Sequence, residues 1–203
     1  MTVRSSLRGR PAATSHAEIE RAAFRLFAVH GFEATTLEMI AGELGVSSRT
    51  VARYYPSKND IPWGRFGETL DAFAEHLRAM PETMPLWQIV HRAVLAFNDF
   101  PPAELPFLRE RMRIILSTPA LQAHSTLRYV EWRNVVAEFV AERRQVPVDD
   151  LSVQIVANVS LGAAISAYEA WLAHPEDALA SLLDQAMSAL REHLAPAPVT
   201  PDD

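Results

Sequence analysis

The stretch TTLEMIAGELGVSSRTVARYYPSKND, Thr35 to Asp60, decides how this chain is read. Thr35 and Glu38 have the spacing of a capping box, and Leu37, Ile40, Ala41 and Leu44 then recur at helical spacing. Gly45 tolerates a positive φ, which stops that helix and turns the chain. Ser47 is a good cap for a second helix, and Pro56 ends that helix after about two turns. Ala41 and Val51 are placed to meet inside the corner, while Ser48, Arg49, Ala52 and Arg53 face outward. This is the layout of a helix-turn-helix, whose second helix lies in the DNA major groove.

A plain helical hairpin would share the turn and the caps. Charge separates the two readings. Between Gly45 and Lys58 stand Arg49, Arg53 and Lys58, with no Asp or Glu. Upstream, Ser15 and Glu18 form another capping pair at the start of a helix running to about His30. Ile19, Ala22, Ala23, Leu26 and Phe27 make its apolar stripe, and Gly31 ends it. Three helices in about 45 residues lie near the lower limit of a self-sufficient core.

The run LFAVHGFEATTLEMIAGELGVSSRTVARYYPSKND resembles the DNA-binding domain of the TetR family of transcriptional regulators over about residues 15–61. Within that family, RYYPSKND followed by PWG, with RGRP upstream, resembles regulators of mycofactocin gene clusters. So do Phe97-Asn98, RMRIIL (Arg111 to Leu116) and AHSTLRYVEWR (Ala123 to Arg133). Ala52 departs from the pattern, since the family usually has an aromatic there. The resemblance implies an all-α fold of about nine helices. An N-terminal helix-turn-helix domain would be followed by a helical domain for effector binding and dimerisation.

The resemblance also implies contacts. Thr36 matches a position whose hydroxyl and backbone N–H meet a phosphate at a helix N-terminus. Tyr54 matches a phosphate-contacting tyrosine, and Lys58 a lysine that anchors the opposite strand. Ser47, Ser48 and Thr50 share the same surface. Arg49 and Arg53 are candidates for base readout through guanine O6 and N7, with a phosphate clamp as the alternative role. Arg4, Arg8 and Arg10 precede Pro11 with no acid among them. They read as a disordered arm that either enters a minor groove or only touches phosphates.

The 203 residues allow a small head and a larger body, which we place at 15–60 and 61–196, between an arm (1–14) and a tail (197–203). The net charge of −6 looks wrong for a DNA binder until it is divided. Residues 1–60 carry eight Lys/Arg against six Asp/Glu, and residues 61–203 carry eleven against nineteen. The head is therefore +2 and the body −8, and a local patch suffices because screening limits reach to about 10 Å. The absence of Cys removes disulfides and thiol chemistry. With no signal peptide and no apolar run judged long enough to span a bilayer, a cytoplasmic protein is expected.

Beyond the head the pattern is helical throughout. Asp60 to Ala79 reads as one helix of about 30 Å joining head to body, with Pro62 in its first turn. Gly64 and Gly67 inside it serve either compliance or close packing. Leu86 to Phe100, Phe107 to Leu116, Leu121 to Arg144, Asp150 to Ala173 and Glu176 to Leu194 complete the set, separated by MPETMP and PPAELP.

The last two helices carry a candidate homodimer surface. Val159, Gly162, Ala163, Ser166 and Ala170 form a small-residue face, and Leu179, Leu183, Ala186 and Leu190 an apolar stripe; both also suit intramolecular core. A dimer would present two recognition helices about 34 Å apart to a palindromic double-stranded DNA operator. Trp87, Phe97, Met112, Tyr129, Trp132, Val136, Tyr168 and Trp171 are candidates for an apolar effector cavity. Asn98, Arg109, Arg113 and Arg133 could meet a polar head group, although each arginine alone suits a surface salt bridge. An elongated ligand such as a long-chain acyl-CoA fits that wall. No HExxH, GxxxxGK or GxSxG pattern is present, so neither an enzyme nor a bound cofactor or metal is expected. The resemblance implies a repressor released by its effector. A DNA-organising protein without an effector and a helical ligand carrier are the rival readings.

Overall fold

A computed structural model describes residues 14–194, with side chains as far as Ala189. Arg4, Arg8, Arg10, the side chain of Leu190 and the tail 197–203 therefore lie outside the described residues. Among the described residues there are nine α-helices, one 3-10 segment and no strand. The chain divides into two compact units, residues 1–65 and 66–203.

In the first unit, α1 (His16–His30), α2 (Leu37–Leu44) and α3 (Ser48–Tyr54) are followed by a 3-10 segment, Lys58–Trp63. Ser15 caps α1, accepting the Glu18 N–H at 3.3 Å, and Gly31 at φ 80 ends it. The α2 cap differs from expectation. Thr36, not Thr35, accepts the Met39 N–H at 3.3 Å. Thr35 is fully buried and donates its hydroxyl to the Gly31 carbonyl at 2.8 Å, so it fastens the turn instead. Gly45 sits at φ 66, ψ 27, and its N–H satisfies the free carbonyls of Ala41 and Gly42. Ala41 and Val51 are buried in the corner, as the sequence predicts. Ile19, Ala22, Ala23 and Ile40 are wholly buried beside them.

The continuous helix expected from Asp60 to Ala79 does not form. The 3-10 segment ends at Gly64, which takes φ 56 and ψ −134, and α4 (Phe66–Arg78) starts afresh. A Cβ on Gly64 would meet the Glu20 carboxylate at 3.3 Å, and that carboxylate accepts the Tyr55 hydroxyl at 2.7 Å. The glycine there is a turn, not a flexible point within a rod.

The second unit comprises α4, α5 (Leu86–Phe97), α6 (Leu105–Ser117), α7 (Pro119–Arg144), α8 (Leu151–Ala173) and α9 (Leu179–Leu194). Helix α5 stops three residues earlier than predicted. Asn98 caps it and turns its amide Nδ2 back to the Val94 carbonyl at 2.7 Å. Its core joins Leu70, Phe73 and Leu77 of α4 to Ile89 and Val94 of α5, Trp132 and Val136 of α7, and Trp171 of α8. Phe73 and Trp132 stack with centroids 5.3 Å apart, and Phe97 meets Phe73 at 4.8 Å. Leu179 and Leu183 of α9 are at most 4% exposed in the same core. This corrects their assignment to a dimer surface. Burial of each stabilises the protomer by about 2 kcal/mol, so each already has its partner.

Helix α8 is long and apolar enough to cross a membrane by length and composition alone, a test that core helices also pass. The inward residues Val153, Ala157, Ala164 and Trp171 account for part of that apolarity, packed in the body core.

Candidate nucleic-acid interface and body cleft

Helix α3 buries Val51 in the head and leaves its cationic face exposed. Ser47 caps it, accepting the Thr50 N–H at 3.2 Å, and the two hydroxyls lie 2.9 Å apart. Arg49 and Arg53 are exposed, Ser48 and Ala52 half-buried. Ser47, Arg49, Thr50, Ala52 and Arg53 line one shallow concavity. Arg49 forms no hydrogen bond or ion pair among the described residues, and the Arg53 guanidinium lies 5.9 Å from the Tyr54 ring. The head does neutralise an arginine elsewhere: Arg25 of α1 pairs with Glu43 of α2 at 3.0 Å. The α3 face therefore holds two uncompensated guanidiniums, each a planar fork of donors suited to phosphate oxygens or a guanine edge.

Two flanking residues, Lys58 and Tyr54, are engaged inside the head. The Lys58 ammonium donates to the carbonyls of Phe32, Glu33 and Thr35 at 2.8, 2.8 and 3.0 Å and lies 4.7 Å from the Phe32 ring. All three of its protons are used on the turn after α1, so a phosphate contact from Lys58 would compete with these bonds. Tyr54 donates its hydroxyl to the Thr14 carbonyl at 2.7 Å and packs edge-on against His16. Its oxygen can still accept, but a phosphate needs a donor. Thr36 is exposed at the α2 N-terminus as expected. The exposed Glu38 already occupies that end: its carboxyl is held below the usual range by its own backbone N–H and then by the Thr36 hydroxyl.

In the body, a half-open cleft of about 520 Å³ lies among the α5–α6 turn, α6 and the α8–α9 turn. Of the residues expected around an effector, Asn98, Arg109, Arg113 and Trp171 line it. Pro102, Leu105, Pro106 and Leu179 supply further apolar wall. The others lie elsewhere. Trp132 and Val136 are buried in the core, with Phe97 and Met112 packed partly buried against it. Trp87 is 48% exposed. Tyr129 is half-buried, and its phenol is pushed up by burial first, with the Ser125 bond opposing. Tyr168 lies behind Asn98, donating its hydroxyl to the Asn98 amide oxygen at 2.7 Å; burial drives its phenol well above the usual range.

The body's arginines divide. Arg113 is paired with Glu110, and Arg133 donates to Asn158 at 2.5 Å. Arg109 has no carboxylate partner among the described residues. Its guanidinium carbon is 4.3 Å from the centre of the Trp171 ring, and it donates to the Pro175 carbonyl at 3.0 Å.

On α8, Val159, Gly162 and Ser166 are exposed, and Ala163 and Ala170 half-buried. Ser166, Ala170 and Ala186 line a groove with Leu182 and Ala189. The exposed apolar stripe also extends to Ile155 and Leu151, 51% and 75% exposed, which the sequence reading missed. Their spacing, four apart from Val159, was the available signal.

Comparisons with known proteins agree with this geometry. Residues 19–61 match the family model "Bacterial regulatory proteins, tetR family", and residues 84–195 match the model "MftR C-terminal domain". The chain is 41% identical over 182 residues to a Mycobacterium tuberculosis protein provisionally named as the mycofactocin biosynthesis transcriptional regulator MftR, covering 90% of this chain and 92% of that protein. Among solved structures, the fold is similar to Thermus thermophilus FadR in complex with lauroyl-CoA (TM-score 0.61, 23% identity, 92% of this chain and 100% of that one). It is also similar to Bacillus subtilis FadR in complex with stearoyl-CoA (TM-score 0.60, 16% identity, 87% and 97%).

Proposed function

The chain belongs to the TetR family of bacterial transcriptional regulators, and from that premise we propose that it is a cytoplasmic homodimeric repressor that binds a palindromic operator and leaves it when a small apolar effector occupies the body. The observation that carries this reading is the α3 face. Arg49 and Arg53 stand exposed on a recognition-helix surface, in a run from Gly45 to Lys58 that contains no acid. A dimer follows from reach, since one short helix reads only a few base pairs and two, about 34 Å apart, read two half-sites. The open α8 face through Val159, Gly162 and Ser166 is the surface we assign to that pairing, with Ala163, Ala170 and Ala186 beside it.

The effector we favour is a long-chain acyl-CoA or a molecule of similar length and polarity. Support comes from the body cleft, whose volume falls within the range of small-molecule sites, and from the acyl-CoA complexes of the two FadR proteins. The relationship to the MftR protein makes genes of a mycofactocin cluster the targets we infer. Coupling of about 1–3 kcal/mol between effector and operator would release most sites.

Selection of bound duplexes from a random pool tests the DNA half: an enriched inverted repeat is expected, and an unenriched pool contradicts it. Titrating dodecanoyl-CoA into the protein–operator complex tests the effector half. A thioester that binds and leaves operator affinity unchanged removes this effector.

A further inference from the structure

Arg109 is the one feature of the body cleft that the packing of the protomer leaves only half explained. Its guanidinium is held on two sides, over the Trp171 ring at 4.3 Å and against the Pro175 carbonyl at 3.0 Å. Trp171 is 2% exposed, so the plate beneath the cation is fixed. The Arg109 Nε is buried and has no hydrogen-bond partner among the described residues. An arginine pinned in this way has lost its freedom to swing out to solvent, and a buried donor left unmade is unfavourable. The neighbouring Arg113 is different, being neutralised by Glu110.

The wall beside Arg109 is also built. Asn98 is 7% exposed, and its amide oxygen is occupied by Tyr168 and one amide hydrogen by Val94. The second amide hydrogen is uncommitted. The rest of the lining is apolar except for Asp99, Glu110, Arg113 and Asp177. With Glu110 matched by Arg113, the remaining charges are Arg109 and two carboxylates. The two carboxylates, Asp99 and Asp177, are exposed to solvent, so an anion would be received at the Arg109 guanidinium itself and not by the net charge of the cleft, which disfavours a cluster of anions.

We propose that this cleft binds an apolar molecule by a single anionic group, a carboxylate or one phosphate, with Arg109 as the receptor and Asn98 as a second donor. The proposal rests on the effector reading only for the consequence of binding, not for binding itself. Charge-assisted hydrogen bonds from a preorganised guanidinium make the acid group, not the chain, the discriminating feature.

The test compares dodecanoate, dodecanol and dodecanoyl-CoA by calorimetric titration of the full chain, its Arg109→Gln and Arg109→Lys variants, and Arg92→Gln, at an exposed position of α5 outside the cleft lining, as a control. The wild type should bind dodecanoate at least about tenfold more tightly than dodecanol, a difference of about 1.4 kcal/mol. Arg109→Gln should abolish that preference, and Arg92→Gln should keep it. If only dodecanoyl-CoA binds, and Arg109→Gln weakens it, the anion is a phosphate. Equal affinity for dodecanoate and dodecanol in the wild type, with dodecanoyl-CoA indifferent to Arg109, overturns the proposal, as does failure of all three to bind. Should Arg109→Gln not fold, Arg109→Lys and the wild-type comparison decide. Operator affinity measured alongside separates the two ideas. Arg109-dependent binding that never moves the operator sinks the effector reading alone, while operator release that ignores Arg109→Gln sinks this proposal alone.

Discussion

The head and the body treat their arginines in opposite ways. On α3, Arg49 and Arg53 are exposed and carry no ion pair among the described residues, although the same unit pairs Arg25 with Glu43. In the body, Arg113 and Arg133 are engaged by Glu110 and Asn158, and Arg109 is held against an aromatic ring. Free guanidiniums on a short exposed helix suit a long polyanion that supplies its own compensation. A pinned guanidinium in a mostly apolar cleft suits one small anion. The difference explains how a chain of net charge −6 can carry a DNA-binding surface, because the charge of each face is set locally.

The largest effect should come from breaking the head side of that contrast. Arg49→Ala with Arg53→Ala should weaken binding to an enriched operator by roughly 2–6 kcal/mol while leaving unfolding unchanged, since both side chains are exposed. Fluorescence anisotropy on labelled duplex reads the first, and urea unfolding the second. A loss of stability equal to the loss of affinity would mean that the arginines hold the head together.

Lys58 sharpens the comparison because it looks like part of the interface and is wired as structure. Lys58→Met should destabilise the head by roughly 3 kcal/mol, as three carbonyls lose a charged donor. The salt dependence of operator affinity should keep its slope. A slope reduced by about one, with unfolding intact, would instead make Lys58 a phosphate contact.

Tyr168→Phe is the corresponding probe in the body. It leaves the buried Asn98 oxygen unpartnered and should cost about 1–3 kcal/mol in chemical denaturation, with operator affinity in the absence of effector unaltered. The smallest effect is expected at Gly162, where an added Cβ meets nothing within 4 Å. Gly162→Ala should raise thermal stability of the protomer by up to about 1 kcal/mol. If the α8 face pairs, sedimentation should show weaker self-association despite that gain.

The head was legible in the sequence because its signals are local. Gly45 stops α2, Ser47 caps α3 three residues before the Thr50 N–H it satisfies, and Ala41 and Val51 announce the corner by spacing alone. What sequence reading missed there is long-range: Lys58 reaches carbonyls 23 to 26 residues upstream. The break at Gly64 was misread because Pro62 suits a first helical turn and one glycine costs little. In the body, helices were legible and the site was not. The cleft depends on Arg109 meeting Pro175 across 66 residues and Asn98 meeting Tyr168 across 70, and periodicity carries no information at that range. The same limit placed Leu179 and Leu183 on an outer face, since an apolar stripe does not say which neighbour it meets.

The central claim is that α3 lies in the major groove with Arg49 and Arg53 against the duplex. Hydroxyl-radical and methylation footprinting of an enriched duplex, at low salt and with the protein verified as folded, tests it most directly. We predict two protected major-groove patches about one helical turn apart, both lost with Arg49→Ala and Arg53→Ala. Uniform cleavage along the duplex would contradict the account, and so would protection that survives loss of both arginines.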